Sequence, residues 1–350
     1  MVGPRVSDGF PPAPTVDFES AKNPSGGTIG IFPRYKSAYA QQFNLTVEQE
    51  IAPWQMLFKA AYVGNLGRRL HTTFDLNQPV PGPTSVASRR PFFSRRPGLA
   101  GVTYNVTDGL SNYNAFQLTV EKRMSQGLAM LLGYTWSHAI DDVAVEFGTF
   151  SPIGPTPQDP RNRRAERSNS ATDMRHRMTI SYLDRLPFGK GQKFLNQGGV
   201  ANFLIGGWQT NGIVTLQTGL PYTPSLQTPT TNCCGSRPDR VGKGTLSSSE
   251  RSLNRWFDPR AFTTPPPFTY GNSGRNILFW PGRVNFDMSL FKDFPIREQI
   301  KFQFRAEAFN IFNTPQFGFP NTSIGNPQAG VISSTLGNPR QLQLSLRFQF

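Results

Sequence analysis

The last eleven residues, Arg340 to Phe350, alternate without a break. Leu342, Leu344, Leu346, Phe348 and Phe350 fall on one face of an extended chain, and Gln341, Gln343, Ser345, Arg347 and Gln349 on the other. Successive side chains of a strand point to opposite sides, so the segment has one wholly apolar and one wholly polar face. Two environments satisfy such a strand. It can lie half-buried in a water-soluble sandwich, or it can stand between lipid and water in the wall of a barrel. The aromatic C-terminus points to the second, and the rest of the chain decides between them.

The same alternation recurs along the sequence. Phe43, Leu45, Val47 and Ile51 alternate with polar residues, and after Ala52–Pro53 so do Trp54, Met56, Phe58, Ala60 and Tyr62. Phe116, Leu118 and Val120 form a third set, and Leu128, Met130, Leu132, Tyr134 and Trp136 a fourth. A fifth holds Met178, Ile180 and Tyr182, and a sixth, near Trp208 to Thr218, holds Val214 and Leu216. Val284, Phe286, Met288 and Leu290 make the seventh, and Ile300, Phe302, Phe304, Ala306 and Ala308 the eighth. With the C-terminal segment this predicts about nine strands of roughly 9–13 residues, long enough to cross a bilayer at a tilt.

The connections sort into two kinds. After a break of a couple of residues comes a long connection (64–112), then a short one (124–127), a long one (139–173), an intermediate one (184–206), a long one (219–282), a short one (293–297) and a long one (313–339). Transmembrane barrels show this pattern because periplasmic turns are tight while extracellular loops are free to grow. A soluble sandwich has no reason to gather its long connections at one end. The expectation is an all-β fold, an antiparallel transmembrane β-barrel segment with short periplasmic turns and long extracellular loops. With Phe350 on the periplasmic side, residues 1–38 read as a loop-like N-terminal segment and 39–350 as barrel. Closed bacterial barrels have an even number of strands, so nine read as an incomplete barrel.

Composition agrees. No run approaches the ~18 apolar residues of a membrane helix, and mean hydropathy is −0.40. Strand alternation hides hydrophobicity, so this excludes a helical membrane protein but not a barrel. Lys and Arg number 36 against 22 Asp and Glu, a net charge of +14 that calls for an anionic neighbour. The arginines gather in predicted loops, at Arg68–Arg69, Arg89–Arg90, Arg95–Arg96 and between Arg161 and Arg177, rather than in a nucleic-acid-reading motif. That distribution favours lipopolysaccharide over nucleic acid. The two cysteines, Cys233 and Cys234, are adjacent, which rules out a disulfide framework and a CxxC zinc site. Residues 1–14 show no apolar signal-peptide core, and together with the odd strand count this reads as a fragment.

A set of ordered blocks carries a family resemblance. They are YAQQFNLTVEQE (Tyr39 to Glu50), AYVGNLGRRL (Ala61 to Leu70), SNYNAFQLTVEKR (Ser111 to Arg123), GYTWSHAIDD (Gly133 to Asp142) and LPFGKG (Leu186 to Gly191). RWFDPRAF (Arg255 to Phe262), NFDMSLFK (Asn285 to Lys292) and FRAEAFNIFN (Phe304 to Asn313) complete the set. In this order they resemble TonB-dependent outer-membrane receptors with an Oar-like β-barrel. The resemblance implies a Gram-negative outer-membrane location and uptake of a bulky substrate. It also implies assembly by the barrel-insertion machinery and a TonB system reached through a plug. No TonB box or plug is recognisable in this sequence, so the resemblance implies part of a transporter. An alternative is a surface structural or adhesive barrel without transport, and a third reading is a soluble basic β-protein that binds nucleic acid.

Nothing points to catalysis. A G-x-S-x-G elbow, an H-E-x-x-H pair and a P-loop are all missing, and the sequence implies no cofactor and no metal. His138 and His176, with Asp141 and Asp142 nearby, read as loop-base hydrogen-bonding residues rather than a cation site. Arg283, Asp287, Lys301, Arg305 and Glu307 share polar strand faces. They are expected to face the lumen, as a charged wall or as a cross-strand ladder that fixes register. Tyr134, Trp136, Tyr182 and Trp208 are expected in aromatic girdles at the headgroup levels. Phe348 and Phe350 resemble the C-terminal assembly signal of outer-membrane barrels.

Overall fold

Nine long strands in one sheet, hydrogen-bonded in chain order, make the wall. The computed structural model describes residues 26–143, 157–196, 198–297 and 300–350. The strands are β1 (Tyr39–Ile51), β2 (Met56–Asp75), β3 (Leu99–Ser125), β4 (Leu128–Asp141), β5 (His176–Arg185), β6 (Trp208–Gln217), β7 (Arg283–Arg297), β8 (Ile300–Phe309) and β9 (Gln341–Gln349). Each pairs antiparallel with the next. β1 and β9 are the two edges, so the sheet does not close on itself. This is the predicted strand set, as an open and incomplete barrel.

Register keeps the two faces separate across the sheet. One row runs Val47, Ala60, Leu118, Tyr134, Met178, Leu216, Val284, and the next Thr46, Ala61, Gln117, Thr135, Arg177, Gln217, Arg283. A slip of one residue in any strand would exchange its faces, so the alternation pins each pairing. The apolar face has little cover within the chain: Leu344 is 73% exposed, and Leu342 and Leu346 are similar. A strand face this apolar and this open needs lipid around it.

At one end of the sheet the connections are 52–55, 126–127, 186–207 and 298–299, and at the other 76–98, 142–175, 218–282 and 310–340. β2 and β3 run well past their predicted ends at Tyr62 and Phe116, forming a tall extracellular hairpin. Above the bilayer neither face needs to be apolar, so the alternation stops while the pairing continues. Gly26–Ile31, inside the segment expected to be loop-like, pairs parallel with the upper part of β3.

The cluster of buried apolar residues lies in the extracellular connections rather than in the sheet. Tyr222, Leu226, Phe257, Ala261, Phe262, Leu278 and Ile324 pack together, with Trp280 and Ile277 against them. Short strand pairs brace this cap. Pro221–Tyr222 lies against Leu278–Phe279, Asp239–Arg240 against Phe262–Thr263, and Ser225–Leu226 against Ser323–Ile324. The predicted free loops are therefore a folded unit seated on the extracellular end.

Candidate functional site

The polar face is the surface on which chemistry can occur. Register puts Arg283, Asp287, Lys301, Arg305 and Glu307 on it together with Gln343, Ser345 and Arg347. The pairs differ from the expected ladder. Lys301 Nζ meets Asp293 Oδ2 at 2.8 Å, and Gln303 Nε2 donates to Asp293 Oδ1 at 2.8 Å. Arg305 Nη1 reaches Glu307 Oε1 within its own strand at 3.4 Å and lies 5.3 Å over the Phe291 ring. Asp287 is committed elsewhere, accepting from Asn310 N–H at 2.8 Å and Asn285 Nδ2 at 2.9 Å. The sequence reading missed Asp293, which register sets opposite Gln303 and diagonal to Lys301.

Two hollows open on this face. The lower, about 900 Å³, is bordered by Glu121, Asp287 and Glu307 and by the half-exposed Leu131 and Ile213. The upper, about 560 Å³, lies under the cap. Arg283, Asp287, Gln217 and Gln316 supply charged and amide groups there, beside the aromatic pair Trp280–Phe319, whose ring centroids are 3.9 Å apart. Fixed hydrogen-bonding groups beside exposed rings suit a polar ligand with an apolar face. The cap closes over this region from above. Ser137, on the polar face, is buried and donates to Met174 C=O at 2.7 Å.

The aromatic residues stand on the opposite face, at two levels. Tyr134 and Trp136 lie toward the extracellular end of β4, and Tyr182 and Trp208 toward the periplasmic ends of β5 and β6. Gly212 sits opposite Tyr182, and with no Cβ it lets that ring lie flat over the strand. Phe348 packs on Phe302 at 4.9 Å, and Phe350 is 93% exposed. Charge does not keep wholly to the polar face: Lys292 stands on the apolar one, near its periplasmic end.

A model of the outer membrane beta barrel domain matches residues 3–343. The chain belongs to that family. Membership places this barrel domain in the Gram-negative outer membrane. It is similar to several solved structures. For the outer membrane transporter YddB from Escherichia coli, identity is 12% over 93% of this chain and 34% of that one, with a TM-score of 0.48. For the ferric-catecholate import receptor Fiu from E. coli the values are 11%, 90%, 28% and 0.43. For the ferripyoverdine receptor of Pseudomonas aeruginosa they are 10%, 89%, 27% and 0.44. The chain spans 27–34% of the length of these proteins. No curated protein matches it.

Several arginines, Arg89 and Arg161 of the predicted loop clusters among them, stitch the barrel domain's cap together. Arg237 pairs with the buried Glu166, and Arg275 with Asp141. Arg161 Nη2 donates to Gln78 C=O at 2.7 Å, and Arg89 Nη2 to Asn232 C=O at 2.6 Å. Long connections leave many backbone carbonyls without a ladder partner, and a guanidinium with five donors satisfies several at once. Cys233 and Cys234 are joined as a vicinal disulfide beside Pro79 and Tyr270. His176 Nδ1 contacts Tyr134 Oη at 2.8 Å and His138 Nε2 contacts Asn169 Oδ1 at 3.2 Å. No cluster of three or more metal-ligating side chains occurs among the described residues.

Proposed function

We propose that the chain is the C-terminal wall of a TonB-dependent outer-membrane receptor that takes up a bulky, polar substrate. The observation that carries this reading is the polar face, continuous across nine strands and capped at its extracellular end by a folded loop unit above a hollow. The ordered sequence blocks from Tyr39 to Asn313 support it. In this reading Arg283, Asp287, Lys301, Arg305 and Glu307 line the lumen, and the cap selects the ligand. Residues 39–350 are barrel and 1–38 a loop-like N-terminal segment. β1 and β9 run in the same direction, so antiparallel closure takes an odd number of further strands. Those strands, and a plug that meets TonB, would complete the transporter. The apolar face contacts outer-membrane lipid, the exposed arginines contact lipopolysaccharide, and Phe348 and Phe350 engage the assembly machinery.

The test is retention on immobilised TonB periplasmic domain. Outer membranes expressing the gene in its native context are solubilised, and the folded barrel is applied to the matrix. Specific retention, competed by soluble TonB domain, supports energised uptake. Passage of correctly folded barrel without retention assigns a structural or adhesive surface barrel instead.

A further inference from the structure

We propose that the 186–207 connection is an interfacial anchor that binds anionic phospholipid headgroups of the periplasmic leaflet. The other connections at this end have two to four residues, 52–55, 126–127 and 298–299, so a connection of this length needs a reason. Its one helix, α1 (Val200–Ile205), lies against the apolar outer face of the sheet. Trp208 Nε1 donates to Leu204 C=O at 2.8 Å, and Lys292 Nζ donates to Phe203 C=O. The Phe203 ring lies 5.3 Å from that of Phe294. Register puts Trp208, Lys292 and Phe294 all on the lipid side.

Lys292 explains how the helix is held. Its ammonium is surrounded by the rings of Phe294, Phe203 and Trp208, at 5.0, 5.7 and 5.7 Å from their centroids. A cation on a lipid-facing strand is costly unless it is paired or lies near the interface. Here the helix supplies a C-terminal carbonyl that has no intrahelical partner, and the aromatic faces supply the rest. The cation and the helix end satisfy each other.

The other side of α1 is covered by none of the described residues. Val200 is 75% exposed and Leu204 61%, and Phe194 and Leu195 nearby are about half exposed. This patch is continuous with the lipid face and level with Trp208 and Tyr182 at the sheet's periplasmic end. The charged side chains of 186–207 are Lys190 and Lys193, both exposed, with no carboxylate among them. Apolar side chains that can enter the acyl boundary, flanked by ammonium groups, match an anionic bilayer surface. A water-facing turn would need neither.

Full chain is reconstituted in vesicles of equal parts phosphatidylcholine and phosphatidylglycerol. A nitroxide is placed by Leu204→Cys in a Cys233→Ser/Cys234→Ser background, with matching labels at Leu344 on the lipid face and Ser248 in the cap. Oxygen should relax the 204 label more effectively than a water-soluble nickel chelate, by roughly threefold or more, as at 344. A 204 label with the nickel accessibility of the 248 label overturns the proposal. In the second arm, spin-labelled phosphatidylglycerol and phosphatidylcholine compete to quench the native tryptophans. Lys190→Gln/Lys193→Gln should cut the preference for phosphatidylglycerol by roughly fivefold or more, on the scale of one lysine at an anionic surface. Heat-modifiable mobility confirms that the variant is folded. An undiminished preference in that variant overturns the headgroup assignment.

Discussion

Arg237 grips Glu166 through two parallel hydrogen bonds, Nη2 to Oε1 at 2.9 Å and Nη1 to Oε2 at 3.2 Å, with both side chains buried. The pair ties the 142–175 connection to the 218–282 connection. Gln158 N–H adds a bond to the same carboxylate at 3.1 Å, and Arg275 Nε donates to Glu166 C=O at 3.0 Å. Removing one member of a buried pair strands the other charge and costs about 3–5 kcal/mol. Arg237→Met should therefore loosen the cap, seen as rapid protease cleavage within 218–282 on intact cells while the strands stay protected. Arg237→Met with Glu166→Leu should recover most of the protection, because no buried charge is left unpaired. Equal sensitivity of the single and double variants would show that the charges do not matter.

Gly271 makes a tighter prediction about the same cap. A Cβ built there would clash with the Arg237 carbonyl oxygen, a backbone atom that cannot swing aside. Gly271→Ala should cost about 1–3 kcal/mol, the usual range for an overpacked site. The expected outcome is faster cleavage of the cap with unchanged heat-modifiable migration of the barrel. Wild-type protease resistance in Gly271→Ala would mean that these two segments of the 218–282 connection are not packed this closely.

What the sequence made legible follows a physical boundary. All nine long strands could be read, because a strand between lipid and water must alternate, and Leu342 to Phe350 is the plainest case. β2 and β3 were cut short at Tyr62 and Phe116, since their upper halves stand clear of lipid and need no apolar face. The cap core of Tyr222, Phe257 and Leu278 was invisible for a different reason. Its members come from irregular segments far apart in the chain, so no period announces them. The buried roles of Arg237 and Arg275 could not be read from sequence, because burial of a guanidinium depends on partners that only the fold assembles. Asp293 could have been found by carrying the β7 alternation past Leu290 to Phe294.

Asp142 gives the cap a pH dependence of known sign. Burial raises its pKa above the ordinary carboxylate value, opposed by the Leu110 N–H that donates to Oδ1 at 2.6 Å and by Arg163. A carboxyl whose folded pKa is raised favours the folded state most when protonated. Its contribution is full below the unfolded value and is lost as pH rises through the folded value. Asp142→Asn keeps the acceptor and removes the charge. Its gain in cap stability over the wild type should be small below ~pH 4 and should grow as pH rises through the folded value. Protease half-lives across that range check this, and a difference that shrinks with rising pH would reverse the assignment.

The C-terminus offers the last test. Phe348 leans on Phe302 at 4.9 Å and on Phe350 at 5.7 Å, on the apolar face of the edge strand β9. Phe350 itself touches little else, so its loss removes almost no packing from the folded wall. Deleting Phe350 should therefore leave synthesis and the stability of already folded barrel nearly unchanged, while most new chains fail to insert. Phe302→Ala should do the opposite, weakening the β8–β9 contact by about 3–5 kcal/mol at most, less to the extent that lipid fills the space, with insertion continuing. The two are separated by the fraction of newly made chain with heat-modifiable mobility in the outer membrane and by the melting temperature of the folded fraction. If deletion of Phe350 lowers the melting temperature but not insertion, the residue is a packing element rather than an assembly signal.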